Sequence, residues 1–332
     1  MGPFFSIIIP VYNGEQCIGQ CLDSIYTQGL CEDDFEVICV NDASIDNTAK
    51  VISAYGLSHK NLRLITHEKN RRQGAARNTG VRASIGDYIL YIDADDAFLP
   101  DALIQLKEEL ERNKGLDIMK FDYVIVENGG GKECRTLSDS QEIMSGRDFM
   151  KRNSIPWVPW LCSYSRQFLI KNDLFFVENV QFEDMDYSIA CFVTAQKIKY
   201  SPILVYRYEV NDSPSTTKVG VNVRKVIEIF ELNRRIGNIY QKEIKKNEHD
   251  AAEVVKAHYD FGYKSMILRY WWRLSYKDRK ELLIQYKPML PYQDRLIAFI
   301  GTYPRLFLYL SAIAKPFLPS IRLVYLKVKG RS

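Results

Sequence analysis

Between Ser6 and Val126, short β-branched runs alternate with helical patterns. That alternation restricts the chain to a parallel α/β sheet flanked by helices more sharply than any other feature. Ser6-Ile7-Ile8-Ile9 reads as a strand ending at Pro10, and Phe35-Glu36-Val37-Ile38-Cys39-Val40 as a second, ending in Asn41-Asp42. Leu62-Arg63-Leu64-Ile65 makes a third, Tyr88-Ile89-Leu90-Tyr91-Ile92 a fourth, and Leu116 to Val126 contains a fifth. The first helix is expected over about Glu15 to Gln28, with Cys17, Ile18, Cys21, Leu22 and Ile25 inward. A second starts at Ser44 as N-cap and runs through Val51 and Ile52; two more cover about Gly74 to Ala83 and Asp101 to Asn113. In such sheets ligands bind outside the carboxyl ends of the strands, which points to the residues after Ile9, Val40 and Ile92.

The fourth strand delivers Asp93-Ala94-Asp95-Asp96, three carboxylates in four residues. Crowded carboxylates raise each other's pKa values unless a cation or hydrogen bonds compensate. Oxygen ligands at this spacing suit a hard divalent ion, Mg²⁺ or Mn²⁺, that also holds substrate phosphates. A solvated acidic turn capping the helix near Pro100 is the competing reading.

Residues 127–140, with Gly129-Gly130-Gly131, read as a hairpin or exposed loop, and a helix is expected near Met185–Thr194. From about Val219 to Gln285 the period is helical. The organisation expected is a catalytic domain over residues 1–217 and a helical, basic C-terminal region over 218–332. From Lys264 to Ser332 there are 14 basic and 3 acidic residues, a net of +11, against a net of −7 for residues 1–263. That asymmetry points to an anionic partner. Leu296 to Val328 is apolar and aromatic but broken by Pro304-Arg305, Lys315-Pro316, Pro319 and Arg322. A spanning helix needs about 20 predominantly apolar residues, so interfacial helices on an anionic membrane surface fit better. A helical subdomain packed on the core is the alternative. Seven cysteines without a CxxC pair exclude zinc-site spacing and fit reduced thiols in the cytosol. The chain enters a strand within about five residues, which leaves no room for a signal peptide.

Ser6-Ile7-Ile8-Ile9-Pro10-Val11-Tyr12-Asn13, Val40-Asn41-Asp42-Ala43-Ser44-Ile45-Asp46-Asn47-Thr48, Gly74-Ala75-Ala76-Arg77-Asn78-Thr79-Gly80, the Asp93 cluster and Glu183-Asp184 occur in this order. The set resembles the family 2 glycosyltransferases, over residue 4 to about 217. The resemblance implies the GT-A fold, a Rossmann-like, mostly parallel sheet flanked by helices that binds a nucleotide-diphosphate sugar. It places the base of the nucleotide, a uracil or guanine, near Pro10, Val11, Tyr12 and Asp42, and the ribose near Asp93. Arg77, on a helix beginning at a glycine, would face the diphosphate, with Asn78 orienting and Asp46 capping. Asp95 would hold the metal with help from Asp96. Arg207 and Ser215 would reach the diphosphate, Trp160 and Glu183 would line the acceptor side, and Asp184 would be the general base.

The function implied is an inverting, metal-dependent transfer of one sugar, from a UDP-sugar in the leading form, to a hydroxyl of a saccharide or lipid-linked saccharide in glycan assembly. It would occur in the cytoplasm, peripherally on the inner face of the cell membrane. Leu268-Arg269-Tyr270-Trp271-Trp272-Arg273 lacks the glutamine of the processive members' QxxRW signature, which points to a distributive enzyme. Two alternatives keep the fold: a non-catalytic sugar-nucleotide or membrane-binding protein, and a nucleotidyltransferase. The second normally has a Gly-rich basic loop after the first strand, where Val11-Tyr12-Asn13-Gly14-Glu15 stands.

Overall fold

The computed structural model describes residues 2–127, 130–135, 142–210 and 223–257, with isolated positions (274, 275, 277, 278, 281) beyond. The chain forms two compact units, Met1–Ser213 and Pro214–Ser332.

In chain order the first unit runs β1 (Phe5–Val11), α1 (Ile18–Tyr26), β2 (Phe35–Asn41), α2 (Thr48–Ser58), β3 (Leu62–Thr66) and α3 (Arg72–Ala83). It continues through β4 (Tyr88–Tyr91), β5 (Ala97–Phe98), α4 (Ala102–Arg112), β6 (Ile118–Glu127), β7 (Gly130–Cys134) and α5 (Gly146–Arg152). It closes with β8 (Cys162–Ser165), α6 (Arg166–Lys171), α7 (Glu183–Thr194) and β9 (Ile198–Glu209). One sheet takes the order β3-β2-β1-β4-β8-β6-β9-β5, with β7 added to β6 as a hairpin. The half expected from the alternating pattern, β3-β2-β1-β4, is parallel throughout. Beyond it β8 pairs antiparallel with both β4 and β6, so the second half is mixed. Every residue of β1 and β2 is buried, as expected of central strands covered on both faces.

Two local features aim the site. First, α3 buries Gly74, Ala75, Ala76 and Gly80, small residues that let the helix press onto the sheet. A Cβ at Gly80 would stand 2.4 Å from Cγ2 of Ile8, so only glycine permits this approach. Second, β1 outruns β4: their last pair is Ile8–Tyr91, whereas β1 continues to Val11 opposite Asn41. Pro10 thus sits inside the strand but past its last β4 pair, where a missing N–H costs no ladder bond.

Helix α2 departs from expectation. It starts at Thr48, not after Ser44. The Asp46 carboxylate accepts from the Thr48 amide (3.1 Å), while the Ser44 hydroxyl accepts from the Asn13 amide (2.9 Å). Ser44 therefore bridges two loops instead of capping a helix.

In the second unit, α8 (Val223–Lys245) buries Val226, Ile229, Leu232 and Ile236, a spacing of three to four residues that defines one apolar face. Among the described residues no helix is long and apolar enough to cross a membrane. The interfacial segment expected from Leu296 to Val328 lies outside them, as does the 268–273 stretch.

Candidate active site

The loops that follow β1 and β2 hold each other. The Ile45 amide donates to Asn13 Oδ1 (3.0 Å), the Gly14 amide to Thr48 Oγ1 (2.8 Å), the Glu15 amide to Asp46 Oδ2 (3.1 Å) and the Asn47 amide to Glu15 Oε2 (2.8 Å). Asn13 (φ 52°) and Ala43 (φ 62°) take left-handed conformations that turn the chain into this clasp. Partial burial works against ionisation of Asp46, but the hydrogen bonds from Thr48 and Glu15 hold its carboxyl below the usual range.

Between the two loops lies Asp42, whose amide donates to Val11 O (2.8 Å). Its buried carboxylate accepts from the Arg71 amide at both oxygens (2.8 and 3.0 Å) and meets His67 Nδ1 at 2.7 Å. Val11 is buried, and the next residue, Tyr12, is 51% exposed. An aromatic side chain open to solvent thus stands one residue from a buried carboxylate.

Across the sheet edge, Arg77 gathers the acidic residues. It is 1% exposed, yet Nη2 donates to Asp93 Oδ1 (2.9 Å) and Nη1 to Asp184 Oδ1 (2.6 Å), with Glu183 Oε1 at 3.4 Å. Burial opposes the charge on the guanidinium, but Asp184, Asp93 and Glu183 outweigh it and push the pKa up. Phe176 lies under the group, its centroid 5.3 Å from Cζ, and stacks on Tyr187 at 3.7 Å. Asn78 fixes that floor, donating to Phe176 O (2.9 Å) and accepting from Phe176 N (2.8 Å). Asp184 lies in the first turn of α7, which begins after a left-handed Phe182 (φ 60°). Its side chain is 26% exposed. Burial pushes its carboxyl up to about 7 against the pull of Arg77, with Glu183 and Asp93 adding to the rise. Burial raises Glu183 too.

The Asp93–Asp96 turn is latched to β9 through Tyr206. The Asp93 amide donates to the Tyr206 hydroxyl (3.1 Å), which itself donates to Asp96 Oδ2 (2.6 Å). Asp96 Oδ1 accepts from the Glu209 amide (2.9 Å). Leaving Asp96 without these partners would cost about 1–3 kcal/mol. Burial and the Asp93 charge push Asp96 up to about 8. Asp95, by contrast, is exposed, although partial desolvation and Asp93 raise its carboxyl as well.

The expected site residues therefore separate into groups. Pro10, Val11, Tyr12 and Asp42 lie at the adjoining ends of β1 and β2, while Asp93, Glu183 and Asp184 meet at Arg77. Arg77, expected to face a diphosphate, has three carboxylates around its guanidinium. Asp96, expected beside Asp95 as a ligand, accepts one hydrogen bond at each oxygen. Trp160, expected on the acceptor side, is 7% exposed and stacked on Tyr206 (4.2 Å) and Tyr208 (5.7 Å), behind the acidic turn. Arg207 is half-exposed on β9 and ion-paired with Glu209 at 2.5 Å. Ser215 lies outside the described residues. Not anticipated were Tyr206 as the latch, His67 against Asp42, and Glu178, which pairs with Arg71 and accepts from Asn78 Nδ2 (3.1 Å). No local pattern marks them, because each acts on a residue distant in the chain.

Residues 6–174 match the model for glycosyl transferase family 2, a stretch that covers half of the chain. The uncharacterized glycosyltransferase EpsJ of Bacillus subtilis is 30% identical over 224 residues, which are 65% of this chain and 64% of EpsJ, less than two thirds of that relative. The uncharacterized glycosyltransferase YibD of Escherichia coli is 24% identical over 98% of this chain and 94% of its own length. The crystal structure of Staphylococcus aureus TarS 1–349 in complex with UDP-GlcNAc superposes with a TM-score of 0.71 at 20% identity, covering 95% of this chain and 88% of that one. The GT-A fold expected from the motifs is the fold these strands and helices form. The chain belongs to glycosyl transferase family 2.

Proposed function

We propose that this chain is an inverting glycosyltransferase of glycan biosynthesis. It moves one sugar from a UDP-sugar to a hydroxyl of a saccharide or lipid-linked saccharide, with a divalent metal at the donor. The observation that carries the reading is the convergence of Asp93, from the end of β4, and Asp184, from the start of α7, on one buried guanidinium. A donor-side carboxylate and a carboxylate raised to about 7 are thereby held by the same guanidinium, and a base with a pKa near the operating pH suits general-base catalysis. The TarS crystal structure with UDP-GlcNAc supports the choice of nucleotide.

In this reading the acceptor hydroxyl gives its proton to Asp184 as its oxygen bonds to the anomeric carbon. The bond from that carbon to the diphosphate breaks in the same displacement, and the electron pair leaves on the diphosphate. Arg77 favours the ionised form of Asp184 and aims it. Glu183 stands beside it on the acceptor side, and Trp160 supports the acidic turn from behind. Arg207 and Ser215 are assigned to the diphosphate.

The donor set fits Mg²⁺ or Mn²⁺ held loosely. Among the described residues no three His, Cys, Asp or Glu converge into a cage. Such ions are commonly bound by one or two carboxylates plus substrate phosphates. Asp95 is the carboxylate open for that role, and Asp96 stiffens its turn. When bound, the ion supplies Lewis-acid stabilisation of the departing diphosphate. The basic C-terminal stretch is assigned to an anionic membrane face, which sedimentation with anionic vesicles tests.

Thermal melting tests the donor site directly. At about 100 times its Kd, a UDP-sugar with Mn²⁺ should stabilise the native state by about 2.7 kcal/mol. Asp95→Asn should lose the metal-dependent part of that shift. Larger shifts with CDP- or GDP-sugars would overturn the nucleotide assignment.

A further inference from the structure

We propose that His67 is a positioning residue for the nucleobase: bonded to Asp42 on one side and Thr79 on the other, it holds the Asp42 carboxylate ready for a single ring N–H. This rests on the placement of the base at Asp42. His67 Nδ1 lies 2.7 Å from Asp42 Oδ1 and Nε2 lies 2.9 Å from Thr79 Oγ1. The Thr79 hydroxyl also lies 3.0 Å from Ala75 O. A carboxylate–imidazole–hydroxyl chain thus runs from the end of β2 into α3, ending two residues from Arg77. The His67 amide also donates to Asn41 O (2.9 Å), which fixes the ring's backbone to the end of β2.

Counting acceptor sites shows what this accomplishes. An ionised carboxylate offers about four lone-pair positions. On Asp42, His67 takes one at Oδ1, and the Arg71 amide spans both oxygens. One position remains, on Oδ2. Uracil presents one ring N–H at N3, whereas cytosine has an acceptor there and would set lone pair against lone pair. Without the imidazole, the Arg71 amide alone would fix the Asp42 carboxylate, and a carboxylate held at one point discriminates less sharply than one held at two. A histidine that merely satisfies a buried polar group would give no such selectivity.

The test measures Kd for UDP and CDP, each with Mg²⁺, on the full chain. The proteins are the wild type, Asp42→Asn, His67→Asn and His67→Gln. Asparagine places its amide near Nδ1 and keeps the bond to Asp42. Glutamine places its amide near Nε2 and keeps only the bond to Thr79. The expected result is UDP binding weakened about tenfold in His67→Gln, the size of one hydrogen bond to a charged group, with His67→Asn within about threefold of wild type. CDP binding stays unchanged in both. Should His67→Gln fail to fold, Thr79→Val removes the far anchor and is expected to weaken UDP alone. The proposal is overturned if His67→Gln or Thr79→Val binds UDP like wild type, or if UDP and CDP weaken together. An Asp42→Asn variant that binds UDP normally would overturn the base assignment as well. A loss in Asp42→Asn with none in His67→Gln overturns only the role of His67.

Discussion

Asp184→Asn is expected to lower kcat by about 10²–10⁴-fold, the contribution of a general base, while UDP affinity stays within about twofold. The amide keeps the size of the side chain and an oxygen for Arg77 Nη1, so geometry survives while proton acceptance is lost. The pH profile carries the same information. Asp184 works ionised, and burial pushes its carboxyl up to about 7 despite Arg77. Wild-type kcat/KM should therefore fall as pH drops through about 7, and this limb should be missing from the residual activity of the variant. Stability moves the other way. A carboxyl whose pKa is raised by folding favours the native state when protonated, and that advantage is lost as pH rises from the usual carboxylate range to about 7. Asp184→Asn should thus melt above the wild type at pH 8. Retention of more than a tenth of the wild-type kcat would sink the assignment of the base.

Arg77→Met is expected to destabilise the fold by about 3–5 kcal/mol at pH 8, because it leaves partly and fully buried carboxylates without their cation. Asp93, Glu183 and Asp184 would then face one another uncompensated. Part of the loss should return near pH 5.5, below the value of about 7 to which burial raises Asp184. Arg77→Lys separates charge from geometry: an ammonium restores the charge but lacks the planar fork that reaches Asp93 and Asp184 through different nitrogens. It should recover stability more than turnover. Urea denaturation at the two pH values, with kcat measured alongside, checks both statements. A loss below about 1 kcal/mol at pH 8 would mean that the guanidinium is not the keystone its contacts describe.

Legibility in the sequence followed distance along the chain. β1, β2 and β4 are legible because their runs are mainly apolar and buried in the sheet, whereas β3, with Arg63 inside it and no fully buried residue, is marked by its β-branched and leucine positions alone. The acidic turn and Asp184 were readable as types and positions in known motifs. The pairing of Arg77 with Asp184 was not, since the two lie 107 residues apart and only folding brings them together. Asp96 could not be told from Asp95 in the sequence: the difference is Tyr206, 110 residues downstream. Trp160 reads equally as an acceptor-side aromatic or as core, and its stacking on Tyr206 and Tyr208 depends on a strand well downstream that its own segment does not reveal. Ser44 failed as an N-cap for a tertiary reason, since the amide it accepts from belongs to Asn13 on the neighbouring loop.

That neighbouring-loop arrangement bears on how such a chain can be rebuilt. Asn13, Gly14 and Glu15 complete the hydrogen bonding of Ser44 to Thr48, and the reverse holds as well. Neither loop therefore carries its own conformation. A chimera that imports one of them from a relative inherits half of a folding instruction, with amides stranded on both sides of the join. Residues 12–16 and 43–48 form a discontinuous cassette, and the helix and strand between them can drift in sequence while the two ends must be exchanged together.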